Sequence, residues 1–487
     1  MKSLKYIYIL ITGAIFNVSC SFDDLQLKNP NDLTDETFFK KEEQLQSAVD
    51  AIYANLQTRG LYNRHMFFMN DLMSQECTGN PQLEADKSIY PTYSLSADHG
   101  PTFMYWDNCY RGINKANFVI NNEDKFENVT DASKNRAIGE AKFMRAYYYF
   151  LLVNKFGGVP INLGPSEGEP RSTAAQVFDQ IISDLTDAAG LLPTKDNTDL
   201  GRATQGAAYA LLGKAYLYTE QWQPAVDAFE NVTGYSLVAD HYDNYLEETE
   251  YNDESIFEVS FSATFGNADQ WGSIGDGINE VSVRGQEYGW NDWFNVYPSD
   301  WLLNEFETGD PRYVSTFYSN GETFNNGTMT VAIPLGRTAA WKKYQNYYKQ
   351  ENENMASGIN FRVIRYADVL LMQAEAENEL GNSAEAIALL NQVRDRVGMP
   401  NYGTAAMDAT YPVGNQQQIF NAIVHERCVE LAGEQVRFND IVRWGMAATE
   451  YAGTGFREGI SELIPIPNQE IINNANLTKA DQNPGYN

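Results

Sequence analysis

The stretch QGAAYALLGKAYLYTEQWQPAVDAFENV, residues 205–232, decides the fold of this chain. Small and apolar residues recur in it where a tetratricopeptide repeat packs two helices together, at Leu212, Gly213, Tyr216, Ala225 and Phe229. The small members of this set allow the two helices to approach closely. The spacing therefore predicts a helical hairpin in this part of the chain.

A second copy of the pattern occurs in VLLMQAEAENELGNSAEAIALLNQVRDR, residues 369–396. The spacings of Gly213, Ala225 and Phe229 return there at Ala374, Ala386 and Leu390. Two copies are fewer than the three that a self-standing array needs, so other helices must complete the stack. We therefore expect a mainly α fold, with a tetratricopeptide-like helical repeat body.

Four other segments have apolar residues every three or four positions, which is typical of amphipathic helices. They cover residues 45–56, 106–120 and 135–154 and the segment that begins after Thr173. Gly60 ends the first helix, and Gly157 and Pro160 follow the third, because both residue types break helices. Thr173 is a suitable N-cap, since its hydroxyl can accept a hydrogen bond from a backbone N–H of the first turn.

The helical pattern fades between residues 235 and 360, where glycine, asparagine and aromatic residues dominate. SIFEVSFSA, residues 255–263, and TMTVAIPL, residues 328–335, predict short strands, and residues 300–307 predict one short helix. This part is expected to be a large irregular insertion of loops and short strands. Long irregular insertions on a rigid frame are common binding regions.

The charge balance and the absence of known motifs exclude several classes of protein. The formal net charge of −30 repels nucleic acid, so no nucleic-acid partner is expected. The sequence has no H-E-x-x-H, C-x-x-C, G-x-S-x-G or P-loop motif, and it predicts neither a metal nor a cofactor. Asp196 to Asp199 are better explained by a polar turn than by a calcium loop. The sequence leaves open whether calcium binds and whether Cys77 pairs with Cys109.

The N-terminus has the three-part layout of a secretory signal. Lys2 and Lys5 precede an apolar run at residues 7–16, and small residues stand just before Cys20. The run is too short to span a bilayer comfortably. Residues 1–19 therefore predict a signal peptide, and Cys20 resembles the lipidated cysteine of bacterial lipoproteins, with an ordinary cleaved signal as the alternative. Acyl chains on Cys20 would tether the body to a membrane.

Aromatic residues in the insertion are candidates for ligand binding. Sugars present flat C–H faces ringed by hydroxyls, so their sites combine aromatic platforms with amide and carboxylate groups. The stretch YGWNDWFNVY, residues 288–297, has this composition in Tyr288, Trp290, Asn291, Asp292 and Trp293. The alternative is that these rings fill a core belonging to the insertion itself. Trp271 belongs to the same candidate set, whereas Trp301 is expected to pack.

A second candidate stretch is SIYPTYSLSADHG, residues 88–100, with Tyr90 and Tyr93. It lies in another part of the chain with few helix signals. These two tyrosines complete the set of predicted ligand-binding residues.

Three glutamates could instead indicate an enzyme. Glu426, Glu430 and Glu434 are four residues apart, which places them along one helix face with neighbours about 6 Å apart. Such a pair could serve a glycoside hydrolase as acid and nucleophile. Interleaved Arg427, Arg437 and Arg443 favour a structural salt-bridge network, because ion pairs would keep the carboxylates ionised.

Five stretches together resemble the SusD/RagB family of Bacteroidetes outer-membrane lipoproteins. They are WDNCYRGINKANFVI (106–120), EAKFMRAYYYFLLVNKFGGVP (140–160), FRVIRYADVLLMQAEAENELG (361–381), ERCVELAGEQVRFNDIVRWG (426–445) and LIPIPNQEIINNANLTKADQNPGY (463–486). The resemblance implies a tetratricopeptide-like fold, a lipid anchor at Cys20 and no catalysis. It also implies a glycan or other nutrient as ligand and a SusC-like TonB-dependent transporter as partner. The aspartates after Cys20 resemble the family's signal for export to the outer face of the outer membrane.

The expectation is therefore a lipid-anchored, non-enzymatic glycan-binding protein on the extracellular side of the outer membrane. Residues 20–487 are expected to form one domain, with a helical half (20–234), the insertion (235–360) and a second helical half (361–487). The alternatives are a surface glycoside hydrolase that uses Glu426 and Glu430, and a scaffold that binds a protein or peptide. The sequence does not identify the glycan.

Overall fold

The computed structural model describes residues 38–166, 168–264 and 279–486. The signal peptide, Cys20 and Trp271 lie outside the described residues. The first half contains α1 Glu42–Ala54, α2 His65–Leu72, α3 Ala85–Ser88, α4 Gly100–Ile120, α5 Asp131–Phe156, α6 Ala174–Leu191, α7 Gln205–Tyr218 and α8 Trp222–Phe229. The insertion contains α9 Arg284–Tyr288, α10 Asp300–Glu305 and α11 Pro311–Thr316. The second half contains α12 Tyr366–Glu379, α13 Ser383–Val397, α14 Gln416–Glu430, α15 Arg437–Arg443, α16 Ala447–Glu450 and α17 Asn468–Asn473.

The two predicted hairpins are α7 with α8 and α12 with α13, and the mainly α fold is confirmed. Gly213 lies against the ring of Phe229, where an added Cβ would come within 2.4 Å of a ring carbon. Ala374, Ala386 and Leu390 are fully buried in the second hairpin. Helix α12 packs against α8, so the two hairpins share one body.

The long helices α4, α5 and α6 complete the stack around these hairpins. Gly112 on α4 allows α5 to approach, since an added Cβ would come within 2.3 Å of the Tyr148 ring. The hydroxyl of Tyr148 donates a 2.7 Å hydrogen bond to the carbonyl of Ile52, which joins α5 to α1. Thr173 caps α6 as predicted, and Gln176 completes a capping box. Helix α1 ends at Ala54, before the predicted stop at Gly60.

The strands form small antiparallel pairs between distant parts of the chain. They are β1 Cys77–Gly79 with β3 Val296–Pro298, β2 Ser255–Val259 with β8 Phe361–Arg365, β4 Phe317–Ser319 with β7 Ala339–Trp341, and β5 Thr323–Phe324 with β6 Met329–Thr330. The strand predicted in residues 255–263 is present, whereas residues 328–335 contribute only the two residues of β6. The pairs β1–β3 and β2–β8 join the insertion to the two helical halves. No helix among the described residues is long and apolar enough to cross a membrane.

The insertion has a small aromatic core of its own. Its buried members are Trp290, Phe294, Tyr297, Tyr318, Phe324, Val331, Ile333, Ala340 and Tyr347. Rings between residues 290 and 347 meet in this cluster, which gives the loops of this part of the insertion a fixed base. We call it the insertion core.

Candidate functional site

At one end of the β1–β3 pair, the structure anchors the loop that leads to the predicted stretch 88–100 beside the predicted stretch 288–297. The backbone N–H of Asn80, just after β1, donates to the carbonyl of Asn295, just before β3, at 2.8 Å. The side-chain amide of Asn80 donates to the carbonyl of Phe294 at 3.1 Å. Since the pair is antiparallel, the loop that follows β1 and the loop that precedes β3 start from the same end.

A buried charge cluster fixes both loops below this point. Arg64 donates through Nε to the carboxylate of Glu287 at 2.6 Å, and both side chains are buried. Glu287 also accepts a 2.6 Å hydrogen bond from the amide of Asn295. Nη2 of Arg64 lies 3.5 Å from the carboxylate of Glu84 in the first loop. One guanidinium therefore contacts a carboxylate of the first loop and a carboxylate of α9, the helix that leads into the second loop.

Two of the predicted platform rings are buried. The ring of Tyr288 is fully enclosed, and its hydroxyl donates a 2.7 Å hydrogen bond to Asp71. Trp290 is 5% exposed, and it packs edge-on against Phe324 and Tyr347 at centroid distances of 5.0 and 5.5 Å. Tyr288 and Trp290 therefore pack in the protein interior and do not form a binding platform, because rings from distant parts of the sequence cover their faces.

Trp293 differs from the other tryptophans of the described residues. Its side chain is half-buried and is absent from the hydrophobic clusters that contain or contact the other six. Its backbone N–H donates to the carbonyl of Gln286 at 3.1 Å, which fixes the residue to α9. Trp293 is therefore an aromatic side chain at the surface on a well-held backbone.

The polar neighbours of Trp293 are anchored to the loop at residues 351–353. Asn291 is exposed, and its side-chain amide donates to the carbonyl of Glu351 at 3.0 Å. Oδ2 of Asp292 accepts the Tyr347 hydroxyl at 2.6 Å and the backbone N–H of Glu353 at 3.0 Å. Burial raises the pKa of Asp292, and these hydrogen bonds lower it. The effect of burial is larger, so the pKa lies above its usual value. The surface formed by Asn291, Asp292 and Trp293 is called the Trp293 surface below.

The tyrosines of the second predicted stretch are also buried. Tyr90 is 1% exposed and contacts His99 edge-on. Tyr93 is 4% exposed, and its hydroxyl donates a 2.6 Å hydrogen bond to the carbonyl of Met73. Neither ring presents a face to solvent, because both pack into the main hydrophobic core beneath their loop.

The same loop lines a cleft of about 570 Å³, to which the predicted Tyr93 contributes together with residues that the sequence did not single out. One wall contains the hydroxyls of Thr92, Ser94 and Ser96, together with Asp98, which accepts a 2.7 Å hydrogen bond from Asn468. The opposite wall contains Arg457, whose guanidinium lies 5.8 Å from the centroid of Tyr486. The stretch NPGY, residues 483–486, is the sequence feature that could have drawn attention to Tyr486. It does not predict a cleft, because the residues that pack around Tyr486 come from other parts of the chain.

The three glutamates are buried and form ion pairs rather than a catalytic pair, and Glu434 does not share the predicted helix face because α14 ends at Glu430. Arg365 and Arg396 donate to Glu430 at 2.5 and 2.6 Å. Glu434 accepts from Arg365 and Lys343 at 2.8 and 3.0 Å.

Glu426 pairs with Arg312 and Arg394. These cations hold the pKa of all three carboxyls below the usual value in spite of burial, which leaves no protonated carboxyl for general-acid catalysis.

The sequence predicts that the interleaved arginines form ion pairs with these glutamates, and this prediction is wrong. Arg427 pairs with Asp368 and Asp440 instead, both at 2.8 Å, and Arg443 pairs with Glu375 and Asp440. The pairing cations come from the insertion, β8 and α13, because helix α14 is packed against all three.

The remaining titratable and sulfur groups indicate no other site. Within the described ranges no three His, Cys, Asp or Glu side chains are grouped so that they could hold a metal ion. Cys77 and Cys109 are both buried and unpaired, which answers the question that the sequence left open. Residues 195–197 form a single 3₁₀ turn, in agreement with a polar turn rather than a calcium loop.

The fold defines an α-helical repeat protein with a loop-rich insertion at one surface. The chain belongs to the SusD/RagB family. The model of the SusD family matches residues 253–460, and a model described as "Starch-binding associating with outer membrane" matches residues 23–217.

Individual relatives cover nearly the whole chain. "SusD-like protein P2" of Formosa agariphila is 26% identical over 526 aligned residues, which cover 100% of both chains. Among solved structures, a SusD superfamily protein from Bacteroides vulgatus has a TM-score of 0.80 and 28% identity, covering 92% of this chain and 100% of its own. A "Laminarin binding SusD-like protein" has a TM-score of 0.77 and 28% identity over the same shares.

Proposed function

We propose that this protein binds a glycan at the cell surface and delivers it to a SusC-like TonB-dependent transporter. Membership of the SusD/RagB family supports this function. A solved relative with the same fold is described as laminarin-binding, and one matching family model is described as starch-binding. The identity of the glycan is not part of the proposal, because stacking rings accept many pyranoses and the hydrogen bonds around them decide the choice.

The observation that carries the proposal is the placement of Trp293. A half-exposed indole beside an exposed amide and a carboxylate supplies the apolar platform and the hydrogen-bonding groups that a sugar ring needs. Asn291 and Asp292 are already oriented by Glu351, Tyr347 and Glu353, so little ordering is required on binding.

The remaining predicted platform residues contribute differently. Tyr288 and Trp290 support the loop from below, and Tyr90 and Tyr93 support the wall of the neighbouring cleft. Trp271 keeps its predicted role as a candidate platform. The single-domain organisation of residues 20–487 also stays a prediction.

The same family and the N-terminus support a location at the outer membrane. A matching family model is described as associating with the outer membrane. Lipid on Cys20 would hold the body at the outer face of that membrane through the polar segment that precedes α1. The transporter and the lipid anchor are both part of the proposal.

Catalysis is not part of the proposed function. Glu426 and Glu430 are fully buried beneath arginines, so a glycosidic bond could reach neither carboxylate. A glycoside hydrolase also needs one carboxyl with a raised pKa, and both pKa values are lowered here. The scaffold alternative lacks a specific observation in its favour.

Replacement of Trp293 by alanine tests the proposal. The wild-type protein is first run through native gels that contain laminarin, starch, xylan or pectin. A polysaccharide that it binds slows its migration. The Trp293→Ala variant should lose most of this retention, because stacking of the ring contributes much of the affinity, and its melting temperature should stay within about 2 °C. Trp222→Ala, at a half-buried tryptophan on α8, is the matched control. Unchanged retention of Trp293→Ala contradicts the assigned surface.

A further inference from the structure

A second groove lies at the C-terminal end of α4, against the loop that follows α5. It has a volume of about 310 Å³. Five asparagines line it together with one ring: Asn114, Asn117, Asn121, Asn122, Asn162 and Phe118. Every described residue that lines the groove is uncharged, although 21% of the chain is charged. A groove of this composition favours an uncharged polar ligand, because none of its described lining residues would compensate a desolvated charge.

The walls of the groove are held rigidly by hydrogen bonds. Asn117 donates to the carbonyl of Asn162 at 2.9 Å, and Asn121 donates to the carbonyl of Leu163 at 2.8 Å. The hydroxyl of Tyr149 both donates to the carbonyl of Asn162 and accepts from its backbone N–H, at 2.9 and 2.7 Å. The loop that forms the second wall is thus tied to α4 and α5. A ligand would meet a preformed surface, which lowers the entropy cost of binding.

Polar atoms remain unused on this rigid surface. Oδ1 of Asn121, Oδ1 of Asn122 and Nδ2 of Asn114 have no hydrogen-bond partner among the described residues. Asn122 is only 8% exposed, and its amide nitrogen donates to the carbonyl of Phe118 at 2.7 Å, so the orientation of its oxygen is fixed. Two acceptors beside a donor suit a ligand rich in hydroxyls, because each hydroxyl both donates and accepts.

Phe118 supplies an apolar surface beside these amides. The ring is half-buried and packs on Phe39 and Phe38 at centroid distances of 5.0 and 5.6 Å. Its position is therefore fixed from below by the first described residues of the chain. An aromatic ring flanked by oriented amides is the combination that sugar rings require.

We propose that this groove is a second saccharide site, specific for an uncharged polysaccharide. The inference rests on the proposed glycan-binding function and adds a separate site to it. Helix α4 has 21 residues, so its C-terminal end lies about 30 Å from the loop at residues 88–100 that precedes its N-terminus. A long polymer that contacts both this groove and the Trp293 surface would bind bivalently, whereas a short oligosaccharide occupies one site at a time.

Variants of the groove test this site separately from the Trp293 surface. The double variant Asn114→Ala/Asn121→Ala removes the free donor and one free acceptor. Asn231→Ala is the matched control, since Asn231 is also exposed and donates its amide to a backbone carbonyl, that of Asp227, at 2.8 Å. Asn114→Ala alone is included because it leaves the hydrogen bond to Leu163 intact. Thermal unfolding followed by circular dichroism verifies that each variant is folded.

The measurement compares a polymer with its short fragment. Retention is measured in native gels that contain laminarin or starch, and calorimetry uses laminarihexaose or maltohexaose. The double variant should bind the polymer at least tenfold more weakly and the hexasaccharide less than twofold more weakly, and Asn114→Ala alone should weaken polymer binding about threefold. In a Trp293→Ala background, the groove variants should abolish the residual polymer binding.

The possible outcomes separate the two proposals. Polymer binding that is unchanged in folded groove variants, but lost in Trp293→Ala, overturns the groove and leaves the proposed function standing. A wild type that binds pectin more tightly than the neutral polymers overturns the uncharged ligand class. A wild type that is retained neither by these polysaccharides nor by a broader panel of glycans overturns both proposals.

Discussion

The hydroxyl of Tyr347 donates a 2.6 Å hydrogen bond to the carboxylate of Asp292. This contact joins the insertion core to the residue that stands directly before Trp293. Asp292 has no regular secondary structure around it, so its orientation depends on Tyr347 and on the backbone N–H of Glu353. The residue directly before the half-buried indole is thus held by a buried phenol 55 residues away from it in sequence.

Removal of this hydroxyl should weaken glycan binding without unfolding the protein. Tyr347→Phe keeps the ring in the insertion core but loses a hydrogen bond to a charged group, which contributes about 1.5 to 3 kcal/mol. We expect the free energy of unfolding to fall by about that amount and glycan affinity to fall several-fold, as measured by denaturation and native affinity gels. Tyr297→Phe, in the same cluster, is the control, since its hydroxyl has no hydrogen bond to a described residue. Equal binding by both variants would show that the contact does not position the surface.

Two glycines on helices should respond oppositely to substitution by alanine. At Gly213 the new Cβ would lie 2.4 Å from the Phe229 ring, so overpacking should cost about 1–3 kcal/mol in spite of the better helix propensity of alanine. At Gly190 on α6 nothing lies within 4 Å of the new Cβ, and the variant should be more stable by about 0.5–1 kcal/mol. Chemical denaturation measures both changes. A stabilised Gly213→Ala would contradict the close contact of the hairpin.

The buried glutamate cluster should make the protein sensitive to acid. The pKa values of Glu426, Glu430 and Glu434 are lowered by their cations in the folded protein. The unfolded chain therefore binds more protons below about pH 4.5, and stability is lost as the pH falls through the folded pKa values. Glu434→Gln should be destabilised by about 3–5 kcal/mol at pH 7 and should show a shallower acid dependence.

The control for this prediction is Glu385→Gln, at an exposed glutamate of α13 that has no ion pair among the described residues. Melting temperatures between pH 3 and pH 7 compare the three proteins. If the acid dependence of Glu434→Gln equals that of the wild type, the cluster is not the source of the sensitivity.

Lys155 should produce a dependence of the same sign at alkaline pH. Its side chain is 2% exposed, and burial lowers its pKa from 10.5 to about 7. Between these two values the unfolded chain binds more protons than the folded protein, so this group makes stability rise with pH, by up to about 1.4 kcal/mol per unit. Lys155→Met should lack this rise, and its stability relative to the wild type should decrease steadily from pH 7 to pH 10. Parallel stability curves for the two proteins would be incompatible with a neutral buried lysine.

The helical frame was predictable because its signals are local. The spacing around Gly213 and around Ala374 reports contacts within one hairpin, and Thr173 caps the helix that directly follows it. Such contacts join residues that are close in sequence, so a single sequence contains both members of each contact.

The binding surface was only partly predictable because its contacts are distant. Trp290 and Trp293 stand in the same aromatic stretch, and the sequence gives no reason to separate them. In the structure, Phe324 and Tyr347 cover Trp290 and leave Trp293 at the surface. The partners of Glu430 were missed for the same reason, since Arg312 and Arg365 precede it by 118 and 65 residues. A pattern of spacings does not state which distant segments will meet.

The three-residue ladder between β1 and β3 has a consequence for how relatives of this protein can diverge. The loop after β1 and the loop before β3 leave the body at Asn80 and Asn295, and buried rings within them, such as Tyr93 and Trp290, hold each loop on a hydrophobic core. The exposed positions of these two loops are therefore free to change while the buried rings and the frame stay intact. Transplanting both loops as a unit between two members of the family should transfer sugar preference from donor to recipient.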